Sequence, residues 1–156
     1  MKSTILLLRA STALLAAGLL LGCSKKSDSG PAGPQAQAIK QQSDLMTGYF
    51  QGDAAQARKS LQQLLQLYQD SKTPMPSDAA RTQRVYETYC RLFVLETRTG
   101  NQAAADAALA KVSEAGANLP DADKIFAPDK ILAMVDGLDL RENHRQPAKY
   151  ARGAAH

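Results

Sequence analysis

The sequence predicts an all-α domain, and three observations support this fold class. Ala, Leu, Gln, Lys and Arg, which favour helices, dominate residues 39–142. No stretch combines sustained polar–apolar alternation with the β-branched residues typical of strands. Apolar residues instead recur at helical spacing between glycine and proline breaks. Because about 100 residues suffice for one small core, we predict a single domain of about five helices.

The first two predicted helices are separated by Gly52. The first covers residues 35–50, and the second begins after Asp53 and ends near residue 70. Asp53, with Gln56 three positions later, resembles a capping box. The apolar positions of both segments share one helical face, which predicts that they face the core. These positions are Ile39, Leu45, Met46, Tyr49, Ala54, Ala57, Leu61, Leu64, Leu65 and Tyr68.

Prolines and glycines also separate the remaining three helices. Residues 73–76 contain two prolines and cannot continue a helix, so the third begins after Ser77 or Asp78 and runs to about residue 99. Its middle is apolar around much of the circumference, which predicts a central position. Gly116 ends the fourth helix, and Pro128 opens the fifth at a first-turn position.

The N-terminus has the pattern of a cleaved targeting signal. Lys2 and Arg9 precede an apolar stretch that ends in a small residue before Cys23. A membrane-spanning helix needs about 20 residues, and the longest uncharged run, residues 10–24, is shorter than this. We therefore expect residues 1–22 to be removed, rather than retained as a spanning anchor.

The end of this segment, Leu20-Leu21-Gly22-Cys23, resembles the lipobox of bacterial lipoproteins. The resemblance implies cleavage between Gly22 and Cys23, diacylglycerol on the Cys23 thiol and an N-acyl chain such as palmitate on its amino group. Ser24 rather than aspartate after the cysteine implies the outer membrane of a Gram-negative cell, facing the periplasm. In the alternative interpretation, the segment is an ordinary secretory signal and Cys23 is incidental.

The composition divides the remaining chain into three parts. Residues 23–38 are rich in Ser, Gly, Pro, Ala and Gln, which is typical of a flexible tether with a span of roughly 20 Å. Residues 39–142 form the helical domain, and residues 143–156 form a basic tail. Loss of Lys2 and Arg9 lowers the net charge from +4 to +2, which gives no case for nucleic-acid binding.

The basic residues near the C-terminus are candidates for contact with anions. Arg141, Arg145, Lys149 and Arg152 are opposed only by Glu142. Such a segment can attract anionic headgroups, lipopolysaccharide or cell wall through screened electrostatics. The alternative is a solvated and mobile terminus.

Two segments of the domain share a turn pattern. In each, a helix ends at a glycine, a polar capping residue follows, and an alanine lies five residues after the glycine: Gly52 with Ala57, and Gly100 with Ala105. The pattern resembles the hairpin turn of tetratricopeptide repeats, which implies helices in antiparallel hairpins. The glycines are 48 residues apart rather than one repeat of about 34, and Phe93 replaces a small residue. A plain helical bundle uses the same turn chemistry.

Residues that commonly carry catalysis are sparse. The two histidines, His144 and His156, both lie in the predicted tail, so we expect no histidine base and no enzyme activity. Glu87, Glu96 and Glu114 are expected on solvated helix faces rather than as a catalytic pair.

No metal site or small-molecule substrate is evident either. The acids between Asp121 and Asp139 do not fit a calcium loop, because Phe126 stands where glycine belongs. No glycine-rich loop that could hold a phosphate is present in the sequence. Cys90, the one thiol left after lipidation, is interpreted either as a redox or dimer site or as a buried small hydrophobe. We expect no cofactor beyond the acyl groups on Cys23.

Tyrosines provide the remaining candidate site. Tyr86 and Tyr89 lie one turn apart on the third helix, and paired exposed tyrosines are favoured in protein contacts. We therefore expect a lipid-anchored envelope protein that binds another envelope protein as a scaffold, adaptor or assembly factor. The alternative is a structural lipoprotein whose basic tail binds cell wall or lipopolysaccharide.

Overall fold

The structure, a computed structural model, describes residues 33–143, apart from the side chain of Ala122. Five α-helices make up this region, with a short 3₁₀ turn, Asp121–Asp123, before the last, and no strand occurs within it. The all-α prediction is therefore confirmed. The helices are α1 (Pro34–Gln51), α2 (Ala54–Gln69), α3 (Asp78–Arg98), α4 (Gln102–Gly116) and α5 (Pro128–Glu142).

Most predicted helix boundaries agree with the structure to within a residue or two, and α1 begins at Pro34, one residue before its predicted start. Residues 34–38, assigned to the tether by their composition, belong to the first turns of α1. Pro34 suits a first helical turn, because its fixed φ is helical and its missing N–H would have no partner there. Residues 1–32 and 144–156, with the predicted signal peptide and most of the tether and tail, lie outside the described residues.

Local side-chain chemistry explains where α2 and α3 begin. Asp53 Oδ1 accepts a hydrogen bond of 2.8 Å from the Gln56 backbone N–H. Ser77 Oγ accepts one of 3.1 Å from the Ala80 N–H. Both bonds satisfy donors that have no partner within the helix. The Gln56 side chain donates to Ser60 Oγ at 3.3 Å, so only one half of the predicted capping box forms.

Helix α3 occupies the centre of the domain, as its apolar circumference predicts. It packs against α2, α4 and α5, while α1 packs against α2. All six residues from Arg91 to Glu96 are buried, and they cover every side of the helix. The core therefore surrounds α3, with Tyr49 and Phe50 from α1 and Ile131 and Val135 from α5 at its edges.

Two tight features position the helices around α3. A Cβ added to Gly48 would lie 2.4 Å from Ser60 Oγ, so α1 and α2 approach closely at this glycine. Gly100 has a φ of 76°, which favours glycine, and lets the chain turn from α3 into α4. The Asn101 N–H then bonds the Glu96 carbonyl at 2.9 Å.

Arg81 fixes the loop between α2 and α3. Its guanidinium donates hydrogen bonds of 2.7 Å to the carbonyl oxygens of Tyr68, Asp70 and Thr73. A cation at the C-terminal end of a helix satisfies carbonyls that lack intrahelical donors.

None of the five helices described has an apolar stretch of sufficient length to span a membrane.

Candidate functional site

A groove with a volume of about 300 Å³ lies between α2, α3 and α4. Its floor is formed by small or aliphatic side chains, and polar side chains stand at its ends. Tyr89, one of the two predicted contact tyrosines, lies in this groove and is half-buried. The lining residues are Arg58, Gln62, Tyr89, Leu92, Glu96, Asn101, Ala104, Ala107, Ala108 and Lys111.

One end of the groove is a fixed polar cluster around Glu96. Arg58 Nη2 donates to Glu96 Oε2 at 2.8 Å, and Arg58 Nε donates to Oε1. Asn101 Nδ2 adds a bond of 3.0 Å to Oε2. The hydrogen bond from Arg58 lowers the pKa of Glu96 below its ordinary value, so the carboxylate is ionised at neutral pH. The cluster joins α2, α3 and the turn into α4, and thus holds the shape of the groove.

The other end of the groove is more exposed. Lys111 and Gln62 are exposed, and Lys111 Nζ pairs with Glu114 at 2.6 Å on the outside of α4. The Tyr89 hydroxyl accepts a hydrogen bond of 3.3 Å from the Gln69 amide. Polar groups at this end are therefore accessible to a bound molecule, beside the apolar surface of Leu92 and Ala108.

Tyr86 is not part of this groove, and the prediction that it lies on an exposed contact surface is wrong. Its side chain is 0% exposed. Its hydroxyl donates to the Ile125 carbonyl at 2.7 Å and accepts from the Ile125 N–H at 3.0 Å. Burial raises the pKa of Tyr86 to about 12. The segment between α4 and α5 covers this face of α3, which the spacing of Tyr86 and Tyr89 does not reveal.

A second polar site, missed from the sequence, joins α1, α3 and α5. Arg91 Nε donates to Asp139 Oδ1 at 2.9 Å, and the Tyr49 hydroxyl donates to Oδ2 at 2.6 Å. Arg91 and Asp139 are only 2% and 1% exposed. Burial raises the pKa of Asp139 above its ordinary value, while the Arg91 guanidinium opposes the shift. Arg91 Nη2 also contacts Glu142 at 2.9 Å.

The flanking arginines of α3 extend this site. Arg98 Nη2 bonds both carboxylate oxygens of Asp136, at 2.8 and 2.9 Å. Arg84 Nη1 lies 3.3 Å from Glu142 Oε1 and 3.2 Å from Glu87 Oε2. The signal available in the sequence was the recurrence of arginine every seven residues on α3, which places all three on one side of the helix.

The predicted placement of the three glutamates is correct only for Glu114, which is exposed. Glu87 and Glu96 are buried, contrary to the prediction, because each pairs with an arginine that compensates its charge. Asp121, considered as a calcium ligand, pairs with Lys124 at 2.8 Å. Within residues 33–143, no group of His, Cys, Asp or Glu side chains is arranged to hold a metal ion.

Cys90 is fully buried on α3 as a free thiol. Burial raises its pKa to about 12, so the reactive thiolate is not populated near neutral pH. This environment favours the interpretation of Cys90 as a small core residue over that of a redox or dimer site.

The predicted anion-contacting residues are described only in part. Arg141 is exposed on the last turn of α5. Arg145, Lys149 and Arg152 lie outside the described residues, as do His144, His156, Gly22 and the predicted lipidation site Cys23.

Comparisons with protein-family models, with curated proteins and with solved structures find no match to this chain.

Proposed function

We propose that this chain is an envelope lipoprotein that carries a helical protein-binding domain on an acyl anchor at Cys23, and that it acts as a scaffold, adaptor or assembly factor. The observation that carries the binding role is the groove around Tyr89. The anchor rests on the lipobox resemblance of Leu20-Leu21-Gly22-Cys23. In this proposal the anchor faces the periplasm from the outer membrane.

The chemistry of the groove suits a segment of another protein. Leu92, Ala104 and Ala108 form a floor that an aliphatic side chain can cover, and their small size admits a close approach. Tyr89 combines a large apolar ring with a hydroxyl that already accepts a hydrogen bond. Gln62 and Lys111 add exposed donors at the rim. An amphipathic segment with an apolar centre and polar or acidic flanks matches this arrangement.

We also propose that α1–α2 and α3–α4 form antiparallel hairpins of the tetratricopeptide type. Each pair is in contact and is joined by a short turn, at Gly52 and at Gly100. Ala57 and Ala105, which lie five residues after these glycines, are both completely buried, as small residues at a close helix contact should be. The groove then lies where the second helix of one hairpin meets the next hairpin.

Site-specific crosslinking in cells tests the proposed role of the groove. A photoreactive amino acid replaces Ala107, which is exposed in the groove, and in a matched control it replaces Ala103, which is exposed one turn earlier on α4 outside the groove. We expect position 107, but not position 103, to capture one defined envelope protein. Tyr89→Ala should reduce this capture, whereas Ile39→Ala, at an exposed apolar residue elsewhere, should not.

The alternative is a structural lipoprotein whose basic tail binds cell wall or lipopolysaccharide, and the exposed side chain of Arg141 favours it. Deletion of residues 144–156 distinguishes this alternative from the proposed role of the groove. Capture at position 107 that survives the deletion supports the groove. Equal capture at positions 103 and 107 contradicts it. The tail instead carries the function if nothing is captured and the deletion releases a non-lipidated form from the envelope.

A further inference from the structure

Helix α5 packs on the domain with fewer buried apolar side chains than α2 or α4, and with several charged ones. Arg84, Arg91 and Arg98, which we call the arginine face of α3, converge on Glu142, Asp139 and Asp136, which recur every three residues on α5. Tyr49 of α1 adds its hydrogen bond to Asp139. Of the apolar side chains of α5, Ile131 and Val135 are fully buried, Leu132 and Met134 are partly buried against the core, and Leu140 is exposed.

From these contacts we expect α5 to be the most weakly held of the helices that pack on α3. The attraction within the buried Arg91–Asp139 pair is offset by the cost of removing both charges from water. The Arg84–Glu142 pair is partly exposed, and such pairs add little to stability. The Arg98–Asp136 pair is mostly buried and also carries a desolvation cost. The polar contacts thus determine the position of α5 but contribute little to the stability of its attachment. Elements with few buried apolar contacts open first in native proteins.

The segment that precedes α5 is anchored independently of it. Leu119 is buried, and Ile125 is held by two hydrogen bonds to the Tyr86 hydroxyl. Helix α5 begins just after this anchor, at Pro128, and no side chain caps its first turn. We therefore expect movement of α5 away from α3 to leave Leu119 and Ile125 in their places, and with them the contact of Ile125 with Tyr86.

We propose that α5 opens as a unit while α1–α4 remain folded, and that the arginine face it uncovers binds an acidic helix of another protein. Opening separates Arg91 and the Tyr49 hydroxyl from their shared acceptor, Asp139, so the uncovered site is rich in donors, with Glu87 beside Arg84 as an acid that remains on α3. The sequence of α5 itself indicates which kind of helix fits. Three acids recur every three residues, from Asp136 to Glu142, and aliphatic residues lie one and five positions before the first acid. This inference is independent of the groove at Tyr89.

Hydrogen exchange of the full mature chain tests the opening directly, in the wild type and in Asp136→Asn combined with Glu142→Gln. We expect α5 amides to exchange faster than those of α2 and α3 in the wild type. The double variant should accelerate exchange in α5 by about tenfold and leave α2 unchanged. Glu114→Gln, which removes an acid from the exposed pair on α4, should leave the exchange rates of both α5 and α2 unchanged. Exchange of α5 at the rate of α2 and α3 in the wild type would overturn the proposal, whether or not the double variant folds.

Binding of a fluorescent peptide with the sequence of residues 127–143 tests the uncovered site. We expect it to bind the double variant more tightly than the wild type, whose own α5 competes. The same peptide with Asn or Gln at positions 136, 139 and 142 serves as the control and should bind neither. Equal binding of the acidic and neutral peptides, or no binding of the acidic peptide to a double variant whose α5 exchanges rapidly, contradicts an acidic-helix site.

Discussion

At the scale of single residues, Glu96 is the ionised group on which the groove depends. The hydrogen bond from Arg58 lowers the pKa of Glu96 in the folded protein below its ordinary value of 4.5. The ionised carboxylate therefore stabilises the fold fully above pH 4.5, and this stabilisation is lost as the pH falls through the pKa of the folded protein. We expect Glu96→Gln to lower the free energy of unfolding by about 1–3 kcal/mol near neutral pH. The difference from wild type should shrink in acid.

Urea unfolding across a pH series measures this difference. Glu114→Gln is the matched control, because Glu114 pairs with Lys111 on the exposed side of α4. That variant should show a small difference at every pH. A Glu96→Gln difference that stays constant from neutral to acidic pH would show that ionisation of Glu96 does not support the groove.

The Arg91–Asp139 pair gives a second prediction at this scale. Arg91→Met leaves Asp139 buried beside Tyr49 without a cation, and we expect a loss of about 3–5 kcal/mol in the free energy of unfolding. Combining it with Asp139→Leu removes both charges and should recover much of that loss. A double-mutant cycle from denaturant unfolding measures the coupling. Additive losses from the two substitutions would contradict a direct contribution of the pair.

At the scale of secondary-structure elements, two glycines within helices should respond oppositely to alanine. Gly48 lies against Ser60 of α2, whereas nothing lies within 4 Å of a Cβ placed on Gly137 of α5. We expect Gly48→Ala to destabilise the domain by about 1–3 kcal/mol, because α1 must move away from α2. Gly137→Ala should stabilise it by up to about 1 kcal/mol, since alanine favours the helix.

Thermal or urea unfolding of the two variants measures these effects. Ser60→Gly offers a check on the cause, because removing the Ser60 side chain leaves room for the added methyl group. The loss caused by Gly48→Ala should therefore be smaller in the Ser60→Gly background. An equal loss of stability in both backgrounds would show that Gly48 is not required for the close contact with Ser60.

At the scale of the whole molecule, features encoded by local sequence were the ones that could be predicted. The five helices follow from apolar spacing, and the caps at Asp53 and Ser77 follow from side chains that reach N–H groups three residues away. The central position of α3 also follows from its own sequence, because a helix that is apolar around much of its circumference must be covered on several sides.

Features that depend on distant partners could not be predicted in this way. Helical spacing placed Tyr86 and Tyr89 near each other, but the segment that buries Tyr86 comes 39 residues later. Similarly, Asp139 has its partners 48 residues before it, at Arg91, and 90 before it, at Tyr49. Without knowledge of which faces meet, a charged residue in a helix is expected in solvent, and the buried carboxylates were missed for that reason.

In the proposed lipoprotein, acyl chains on Cys23 would hold the domain that carries both the groove and α5 at a membrane surface. One acyl chain gives only marginal membrane binding, whereas two or more give stable attachment without a spanning helix. The proposed location of the domain therefore depends on the chemical state of Cys23.

Mass spectrometry of the N-terminal peptide, from protein extracted from membranes, tests this claim most directly. We predict a mature chain that begins at Cys23 and carries diacylglycerol on the thiol and an acyl chain on the amino group. A chain that still begins at Met1, or that begins at or before Cys23 with an unmodified thiol, would show that the protein is not a lipoprotein anchored at Cys23.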